Sequence, residues 1–404
     1  MSTSLLYHAF GVRGYRYRKT EYDGGMVLFH VESTLSTCRC SVCGSADVIH
    51  RGKTTRWFRS VPIGGKLTWI VVDLPRVECR ECGLVRQVEI GFAPPRYSYT
   101  KAFLQYALEL SRHMTIKDVA QHLWVSWDVI KDIKKAYLQQ HFSRPPLKHV
   151  RQIAIDEISI GKGHRYLTVV LDLESGAVLF VGEGKSADAL LPFWRRVRRA
   201  RACIEAVAID MSQAYIRAVE THLPDATIVF DHFHVIKLLN DKLSDLRREL
   251  YREATDLLQK QVLKGTRWLL LKNPEHLSSE RREKERLEEA LQLNQPLATA
   301  YYLKEELRQF WEQPHNTAAK NFLTSWYMRA MNSGVRHLIE FARTLQAHAF
   351  GLLAYYEDPI STGPLEGTNN KIKTMQRQAY GLRDHEYLIL SIYALHQTKY
   401  ALVG

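Results

Sequence analysis

Four of the six cysteines stand in two pairs, and each pair has the spacing Cys-x2-Cys. The pairs are Cys40 with Cys43 and Cys79 with Cys82. Two such pairs are typical of proteins that hold a structural zinc ion in a tetrahedral cage of four thiolates, where the metal contributes to folding. Four free thiols are the alternative, but cysteines flanked by Arg, Glu and Gly have no packing reason to be there. Cys38 is a spare ligand, and so is His50.

Three carboxylates stand where secondary structure would bring acidic side chains to one place. Asp156 lies inside an apolar, strand-like segment, and Asp210 ends another. Glu366 stands in the first turn of a helix that begins with Gly-Pro. A buried and unpaired carboxylate is costly, so these positions need a reason. A single acidic residue is more often a helix cap or an ion-pair partner, but three on matching elements of one fold favour a metal site.

Clustered carboxylates repel one another unless cations lie between them. Two Mg²⁺ ions about 3.5–4 Å apart would relieve this repulsion and activate the attacking and leaving oxygens of a phosphodiester displacement. The hypothesis is that Asp156 bridges the ions while Asp210 and Glu366 each hold one, with Mn²⁺ as a substitute metal. Asn370 and Lys373 follow Glu366 by one and two helical turns, so we predict that they contact the DNA backbone from the same face.

The elements around these carboxylates alternate between strands and helices. The pattern predicts strands at 152–160, 165–173, 177–181, 204–210 and 226–230 and helices at 187–202 and 212–222. Three strands followed by helix, strand, helix and strand is the order of a ribonuclease-H-like core. The first and fourth strands are neighbours in such a sheet, which would bring Asp156 and Asp210 together. Asp231 ends the fifth strand and is a rival to Asp210 as a metal ligand.

The segment from about 235 to 350 has an almost purely helical pattern. It is too long to be a connection inside a compact fold. We therefore predict a helical insertion in the core. A further helix is predicted to begin near Pro364, and the last helix is predicted over 386–402.

Two amphipathic helices precede the core. The apolar residues of the first helix recur at helical spacing: Ile116, Val119, Ala120 and Leu123. Thr115 and Asp118 form a capping box at its start, and Ser126 is a good N-cap for the second helix. The inner face of the second helix is predicted to be Val129, Ile133 and Tyr137. Its outer face is predicted to enter a major groove, as in a helix-turn-helix; the residues on it are Trp127, Asp128, Lys131, Lys134 and Lys135. Amphipathic helix pairs without a DNA role are the alternative.

The charge balance favours a nucleic-acid partner. The 404 residues include 56 Lys and Arg against 43 Asp and Glu, which gives a net charge of +13. A basic protein neutralises phosphates and releases their counterions, although a basic enzyme without a nucleic-acid partner is the alternative. The basic stretch 195–201 is either a contact for DNA or a partner, or a solvent-exposed helix face.

The compartment follows from what the sequence does not contain. Six cysteines in a chain of this length do not suggest a disulfide framework. Cys203, in an apolar context, is predicted to be a buried thiol. No apolar run is long enough for a membrane span, and the first residues lack the pattern of a signal peptide. We therefore expect a soluble, cytoplasmic protein without a membrane partner.

Several motifs resemble the DDE transposases of insertion sequences in the ISL-three (ISL3) family. The motifs are the four paired cysteines, Ile155-Asp156-Glu157, Ile209-Asp210-Met211-Ser212, Asp231-His232-Phe233-His234-Val235 and Gly363-Pro364-Leu365-Glu366-Gly367-Thr368-Asn369-Asn370. The likeness covers nearly the whole chain, with one mild departure at Ser41, where such zinc ribbons often have Pro. The resemblance implies a zinc ribbon, a helix-turn-helix and a ribonuclease-H-like catalytic domain with a helical insertion before the final Glu.

The resemblance also implies roles for individual residues. The catalytic triad would be Asp156, Asp210 and Glu366. The family pattern includes Asp-x-x-His after the fifth strand, so His234 would lie near the scissile phosphate and Asp231 would orient it. A helix-capping aspartate and a structural histidine are the alternative for this pair.

We therefore expect a multidomain α+β fold. Residues 1 to about 36 alternate like strands, and the domains are predicted at 1–95 (N-terminal strands and zinc ribbon), 96–142 (helix-turn-helix), 150–240 (first part of the ribonuclease-H-like core), 241–350 (all-helical insertion) and 351–404 (completion of the core).

The expected function is that of a DNA transposase with two catalytic Mg²⁺ ions and one structural Zn²⁺. The helix-turn-helix would bind the terminal inverted repeats of the element, and the metal site would expose a 3′-OH that attacks target DNA. Two ends must be brought together, so a homodimer is the minimum working form, associated with the nucleoid when bound to DNA. The rivals are a transposase-derived DNA-binding regulator without catalysis and a structure-specific nuclease with the same core.

Overall fold

The computed structural model describes residues 4–34, 38–161, 163, 165–379 and 382–395. The chain divides into two compact units, Met1–Gln140 and His141–Gly404. Within the described residues, no helix combines the length and the apolar composition that a membrane crossing requires. The predicted final helix extends past residue 395 and lies in part outside the described residues.

The first unit begins with a short helix and a five-stranded sheet. Its elements are helix α1 (Leu5–Phe10) and strands β1 (Tyr15–Asp23), β2 (Met26–Ser33), β3 (Val48–Ile63), β4 (Lys66–Cys79) and β5 (Val85–Gln87). The strand order is β1-β2-β4-β3, and β5 pairs with β4. The alternation of residues 1–36 predicts strands only, so α1 is a difference. It forms because Leu6 and Phe10 pack one helical turn apart into the core of this sheet.

A long antiparallel hairpin brings the second cysteine pair back to the first. Strands β3 and β4 turn at Gly64-Gly65, whose φ angles of +56° and +79° are ones that glycine adopts without strain. At the open end of the hairpin, Val48 pairs with Cys79. Phe58 and Ile70 are fully buried and hold the hairpin on its core.

Three helices complete the first unit: α2 (Lys101–Leu110), α3 (Ile116–Leu123) and α4 (Trp127–Phe142). Thr115 caps α3 because its hydroxyl accepts a hydrogen bond from the backbone N of Asp118. The same hydroxyl donates to the Asp118 carboxylate at 2.6 Å. The predicted N-cap is therefore present, but the acid accepts from the hydroxyl and not from the backbone N of Thr115 as in a full capping box. The side chains of Phe103, Leu123 and Ile130 form the core between the helices.

The buried face of helix α4 differs from the predicted inner face by a small rotation about the helix axis. Its buried residues are Ile130, Ile133, Leu138 and Phe142, whereas Val129 and Tyr137 are half-buried. Lys134 lies one helical turn from both Ile130 and Leu138, on the buried side of the helix. It is half-buried, and burial lowers the pKa of its ammonium group. Lys134 therefore lies nearer the buried side of the helix than predicted. The cause is a rotation of about one residue, which the apolar pattern did not resolve.

The second unit is built on a five-stranded mixed sheet. Its strands are β6 (Gln152–Gly161), β7 (Arg165–Asp172), β8 (Val178–Glu183), β9 (Ala206–Ile209) and β10 (Thr227–Phe230). Their order is β10-β9-β6-β7-β8. Strand β7 is antiparallel to β6 and β8, while β9 is parallel to both β6 and β10. This is the ribonuclease-H-like arrangement, with the first and fourth strands of the core side by side at its centre.

Eleven described helices belong to the second unit. They are α5 (Leu191–Ala200), α6 (Gln213–His222), α7 (His232–Glu253), α8 (Leu257–Gly265), α9 (Glu283–Gln292), α10 (Gln295–Arg308), α11 (Asn316–Met331), α12 (Arg336–Ala347), α13 (Ala349–Leu353), α14 (Gly363–Gln378) and α15 (His385–Tyr393). Helices α8 to α13 form the predicted helical insertion. It approaches the sheet closely at α13, because a Cβ on Gly351 would come within 2.5 Å of the Phe230 ring.

Each face of the second sheet has its own apolar core. Ile153 and Ile155 of β6 belong to the core that includes α5, α6 and the insertion. Ala154 and Ile158 belong to the core that includes α14 and α15. Alternate residues of a strand point to opposite faces. Asp156 therefore points to the face that α14 covers.

Candidate functional site

Three aspartates lie side by side where the parallel strands of the second sheet end. Asp156 lies in β6, Asp210 directly follows β9, and Asp231 directly follows β10. The parallel registers of β6 with β9 and of β9 with β10, continued past the last paired residues, align the three positions. The carboxyl ends of adjacent parallel strands form the usual crevice for ligands in such sheets. The fold thus brings Asp156 and Asp210 together, as the strand order predicted.

Two polar side chains lie against the carboxylate of Asp156, while neighbouring acidic residues disfavour its negative charge. The amide Nδ2 of Asn369 donates to its Oδ2 at 2.9 Å, and Nε2 of His234 lies 3.9 Å from its Oδ1. Burial raises the pKa of Asp156, and the charges of Asp210 and Asp231 raise it further, whereas His234 lowers it. The carboxylate is therefore short of compensating positive charge.

Asp231 holds helix α14 in place. Its side chain is 1% exposed, and its Oδ1 accepts a hydrogen bond from the backbone N of Thr362, the N-cap of α14, at 3.1 Å. The predicted role of Asp231, orienting His234, differs from this geometry, since no hydrogen bond between the two is present. The reason is that Asp231 precedes α7, while His234 lies in the first turn of α7 and points its ring at Asp156.

Two further residues extend the cluster on the opposite face of β6. The hydroxyl of Tyr215 donates to Oε1 of Glu157 at 2.7 Å. Burial raises the pKa of Glu157, the bond from Tyr215 lowers it, and the charges of Asp210 and Asp156 raise it. Glu157 had no predicted role. The available signal was a second acid beside Asp156 in an otherwise apolar strand.

Glu366 lies in the first turn of α14, as predicted, but its side chain is exposed. Asn370 and Lys373 are exposed on the same helix. In the part of the chain that the structure describes, only the four paired cysteines form a group of three or more His, Cys, Asp or Glu ligand atoms within 4.8 Å of one another. The ligand atoms of Asp156, Asp210 and Glu366 are therefore not all within that distance of one another, and the same holds for those of Asp156, Asp210 and Asp231. Helix α14 brings Asn369, and not Glu366, into contact with Asp156.

The aspartate cluster has the chemistry of a divalent-cation site. Its donors are carboxylate and amide oxygens, which Mg²⁺ and Mn²⁺ prefer. Two buried oxygens in it, Oδ2 of Asp231 and Oδ1 of Asn369, have no hydrogen-bond partner. Buried polar atoms are almost always paired, so these two require a partner that the protein itself does not supply. A cation with its bound waters fits that requirement and would offset the repulsion among the aspartates.

The four paired cysteines form one compact cluster in the first unit. The sulfur of Cys40 lies 3.7 Å from that of Cys82, and the sulfur of Cys43 lies 3.5 Å from that of Cys79. Four sulfurs at the Zn–S distance of a tetrahedral site would be about 3.8 Å apart. Hydrogen bonds from the backbone N–H groups of Cys43 and Val42 lower the pKa of Cys40 to about 6, which favours the thiolate that zinc binds.

The two halves of the zinc site are built alike. In each, a glycine directly after the pair donates its backbone N to the carbonyl of the first cysteine: Gly44 to Cys40 at 3.0 Å and Gly83 to Cys79 at 2.9 Å. These glycines have φ angles of +78° and +70°, which a residue with a Cβ rarely adopts. Cys38 is buried but outside the cluster, and burial raises the pKa of its thiol. Neither it nor His50 belongs to the cage.

The outer face of α4 carries an aromatic and basic pair. Trp127 is 46% exposed, and the ammonium group of Lys131 lies 5.3 Å from the centre of its ring. Lys131 and Lys135 are both half-buried. Trp124 had no predicted role; it ends α3 with a φ of +54° and is 77% exposed in the turn between the two helices. A large aromatic residue in such an exposed turn is the signal that could have found it.

Two other predictions differ from the structure, one of them wholly and the other at one residue. Cys203 is exposed, so the prediction of a buried thiol is wrong; it lies in the loop after α5, outside the sheet. Within the stretch 195–201, Arg196 serves the fold, because its guanidinium donates to the carbonyls of Leu179 and Pro145. Burial lowers the pKa of Arg196. The exposed arginines of this stretch are Arg195, Arg198, Arg199 and Arg201.

Three family models match successive parts of the chain. A zinc-finger model of the transposases IS204, IS1001, IS1096 and IS1165 matches residues 36–82. A model of the helix-turn-helix domain of transposase family ISL3 matches residues 88–138. The transposase model of ISL3 matches residues 153–392, which is more than half of the chain.

Individual proteins match over nearly their full length. The transposase for insertion sequence element IS1001 of Bordetella parapertussis is 33% identical over 392 residues, covering 95% of this chain and 96% of that protein. The transposase for IS1557 of Mycobacterium tuberculosis is 27% identical over 393 residues, covering 91% of this chain and 88% of that protein. A solved structure, the Drosophila P element transposase strand transfer complex, aligns with 11% identity and a TM-score of 0.43 over 76% of this chain and 94% of that one. That score is too low to establish a shared fold.

The zinc ribbon, the helix-turn-helix and the ribonuclease-H-like sheet thus occur in the order that the three family models require. The matched relatives are transposases of insertion sequences, and one of them is 33% identical across almost the whole chain. This chain belongs to the ISL3 family of insertion-sequence transposases.

Proposed function

We propose that this insertion-sequence transposase cleaves and transfers DNA strands with a divalent-cation site formed by Asp156, Asp210 and Glu366. The observation that carries the proposal is the alignment of Asp156 and Asp210 at the ends of adjacent parallel strands, with the pKa of Asp156 raised by burial and by its acidic neighbours. Such a cluster is unfavourable without cations. Glu366 stands one helical turn before Asn369, which contacts Asp156, and this spacing supports a part for Glu366 in the same site.

Each acidic residue has a distinct part in the proposed site. Asp156 would bridge two ions, while Asp210 and Glu366 would each hold one, which does not require all three carboxylates to meet at a single ion. The backbone N of Ser212 donates to Oδ1 of Asp210 at 3.0 Å and so limits the rotation of that carboxylate. When bound, two Mg²⁺ ions would supply the charge that activates a water or a 3′-OH and stabilises the leaving oxygen.

His234 is proposed to act at the scissile phosphate. Its ring is 21% exposed, and its Nε2 lies 3.9 Å from Asp156. A phosphate that approaches Asp156 would therefore meet this nitrogen, which can donate a hydrogen bond to a phosphate oxygen. Asn370 and Lys373, on the exposed face of α14, would contact the backbone of the same strand. Asp231 would support catalysis indirectly, by fixing the start of α14.

DNA recognition is proposed to depend on the first unit. Helix α4 would lie in the major groove, where Trp127, Lys131 and Lys135 are the predicted contacts, and Lys134 is the weakest candidate because it is half-buried on the inner row. The zinc ribbon would assist in binding the terminal inverted repeats. We also propose that two protomers act together, since two ends of an element must be joined, and that the domains have the bounds predicted from the sequence.

The test is incubation of the protein with Mg²⁺ and a plasmid that carries both ends of the element, followed by mapping of strand breaks. Wild-type protein should cut at the ends, and Asp210→Asn should not. Asp225→Asn is a matched control, because Asp225 is an exposed acid before β10, and it should cut as the wild type does. End binding without cleavage in either Mg²⁺ or Mn²⁺ would favour the DNA-binding regulator. Cleavage of branched DNA without any need for the end sequence would favour the nuclease.

A further inference from the structure

The buried face of helix α14 carries two polar residues, Thr368 and Asn369, among apolar ones. The hydroxyl of Thr368 donates to the carbonyl of Pro364, one turn earlier, at 3.0 Å, so the helix itself satisfies that group. Leu365, Asn369 and Ile372 follow one another at helical spacing and are all buried. Leu365 and Ile372 pack into the apolar core on this face of the sheet. Asn369 is only 6% exposed. An amide buried at such a position costs free energy unless its hydrogen bonds are made, so a third apolar residue would pack there more favourably.

Strand β6, which faces α14, also carries a polar residue between two apolar ones. Ala154, Asp156 and Ile158 alternate on one face of β6, and both of the apolar residues belong to the core that α14 covers. The polar residue of the helix meets the polar residue of the strand, since Nδ2 of Asn369 donates to Oδ2 of Asp156 at 2.9 Å. A carboxylate oxygen only accepts, so the amide nitrogen is the atom that faces it.

This bond uses one of the two N–H donors of the Asn369 amide and none of the acceptor capacity of its oxygen. Its Oδ1 is buried and has no hydrogen-bond partner in the structure. The two polar atoms of one amide are about 2.2 Å apart, so Oδ1 lies no more than about 5 Å from Oδ2 of Asp156. An amide oxygen in that place is a suitable ligand for a divalent cation, or an acceptor for a water bound to one.

We propose that Asn369 is a positioning residue of the cation site, which rests on the function proposed above for Asp156. Its amide N–H holds Asp156 in a fixed orientation and ties α14 to β6. Its amide oxygen faces the cation or a water bound to it. The bond also sets the position of Glu366, which lies one turn earlier on the same helix.

The test measures binding of Mn²⁺ alone to the full-length, zinc-loaded protein without DNA, by electron paramagnetic resonance of the free ion. Asn369→Ala should bind Mn²⁺ about 10–100-fold more weakly than wild type, the range found when a group supporting a metal ligand is removed. Gln378→Ala is the control for metal binding, because it removes an exposed side-chain amide from the same helix at a position with no proposed role. It should bind Mn²⁺ with wild-type affinity.

A second variant separates a metal role from a purely structural one. Asn369→Asp keeps an oxygen but replaces the N–H donor with a second negative charge beside Asp156. The metal-free variant should therefore melt at a lower temperature than wild type. Added Mn²⁺ should raise its melting temperature by more than it raises that of wild type. This comparison holds even if Asn369→Ala does not fold. A gain no larger than that of wild type would overturn the proposal.

Two outcomes distinguish the failure of this inference from the failure of the proposed function. If Asp156→Asn loses Mn²⁺ binding while Asn369→Ala binds it within about threefold of wild type, far less than the effect of losing a supporting group, Asn369 has no part in the site and the proposed function stands. If wild type and Asp156→Asn bind Mn²⁺ equally, the aspartate cluster is not a cation site, and both proposals fail.

Discussion

Replacing Cys79 by serine should release zinc from the first unit. Cys79 is 1% exposed at the end of β4, and its sulfur is 3.5 Å from that of Cys43. A serine hydroxyl has nearly the same shape but is a poor ligand for zinc, which prefers thiolate and imidazole. We expect the zinc content to fall from one per chain to below about 0.1. Binding to the ends of the element should be lost with it.

The size of the effect on stability follows from the loop that zinc closes. Cys40 and Cys82 are 42 residues apart in the chain, and their sulfurs are 3.7 Å apart. In the chain-entropy model, a cross-link across such a loop contributes about 4 kcal/mol. For a unit the size of Met1–Gln140, that free energy corresponds to a fall of about 14 °C in melting temperature. The core around Phe58 does not depend on the metal, so the sheet itself should persist.

The assay combines zinc release, measured with a chromogenic chelator after denaturation, with thermal melting of the full chain. Cys203→Ser is the control, because Cys203 is exposed and lies outside the cluster. It should retain one zinc and the melting temperature of wild type. If Cys79→Ser also kept one zinc per chain and melted with the wild type, the assignment of the four cysteines as a zinc cage would be refuted.

Three further predictions concern the catalytic and DNA-binding parts. The pKa of Asp156 is raised above its ordinary value of 3.8 by burial and acidic neighbours, so metal-free wild type should lose stability as the pH rises from that value through the raised pKa. Asp156→Asn should remove this loss of stability and melt at a higher temperature than wild type at neutral pH in magnesium-free buffer. Melting curves of both proteins between about pH 4 and pH 8 check this. Melting temperatures that change with pH in parallel would contradict it. Asp231→Ala should cost about 1–3 kcal/mol in urea denaturation, because the buried backbone N of Thr362 loses its acceptor. Asp231→Asn should recover most of that stability, and an equal loss in both variants would exclude the anchoring role. Lys131→Ala should reduce the slope of log binding constant against log salt concentration by about 0.9 for DNA ends, whereas Lys134→Ala should leave this slope unchanged. Binding constants measured at several salt concentrations separate the two variants. Equal slopes for both would count against the observed rotation of α4.

Much of the second unit could be predicted because its elements have clear patterns. The apolar segments around Asp156 and Asp210 are short and bounded by turns, so their order alone identified the ribonuclease-H-like sheet. The helical insertion could be predicted for the same reason, from length and periodicity. Helix α1 could not, because six residues are too few to show a helical period.

The candidate site was predictable only in part. An acid in an apolar strand is visible in the sequence, and so Asp156 and Asp210 could be paired from the strand order. The role of Asp231 was not visible, since its partner is the backbone of Thr362, 131 residues away. The same holds for Asn369, whose partner Asp156 is 213 residues away. Single-sequence reasoning favoured Asn370, because helical spacing from Glu366 does not distinguish a buried neighbour from an exposed one.

By itself, the sequence determined the features that depend on residue type and local spacing. The two Cys-x2-Cys pairs, the N-cap at Thr115 and the alternation of strands are of this kind, because each involves residues a few positions apart. Only the tertiary structure decided which side chains meet across the fold: how α4 is rotated, that Asp231 holds α14, and that Asn369 contacts Asp156. The physical reason is that these contacts depend on how distant elements pack, and packing depends on every apolar residue of the core together.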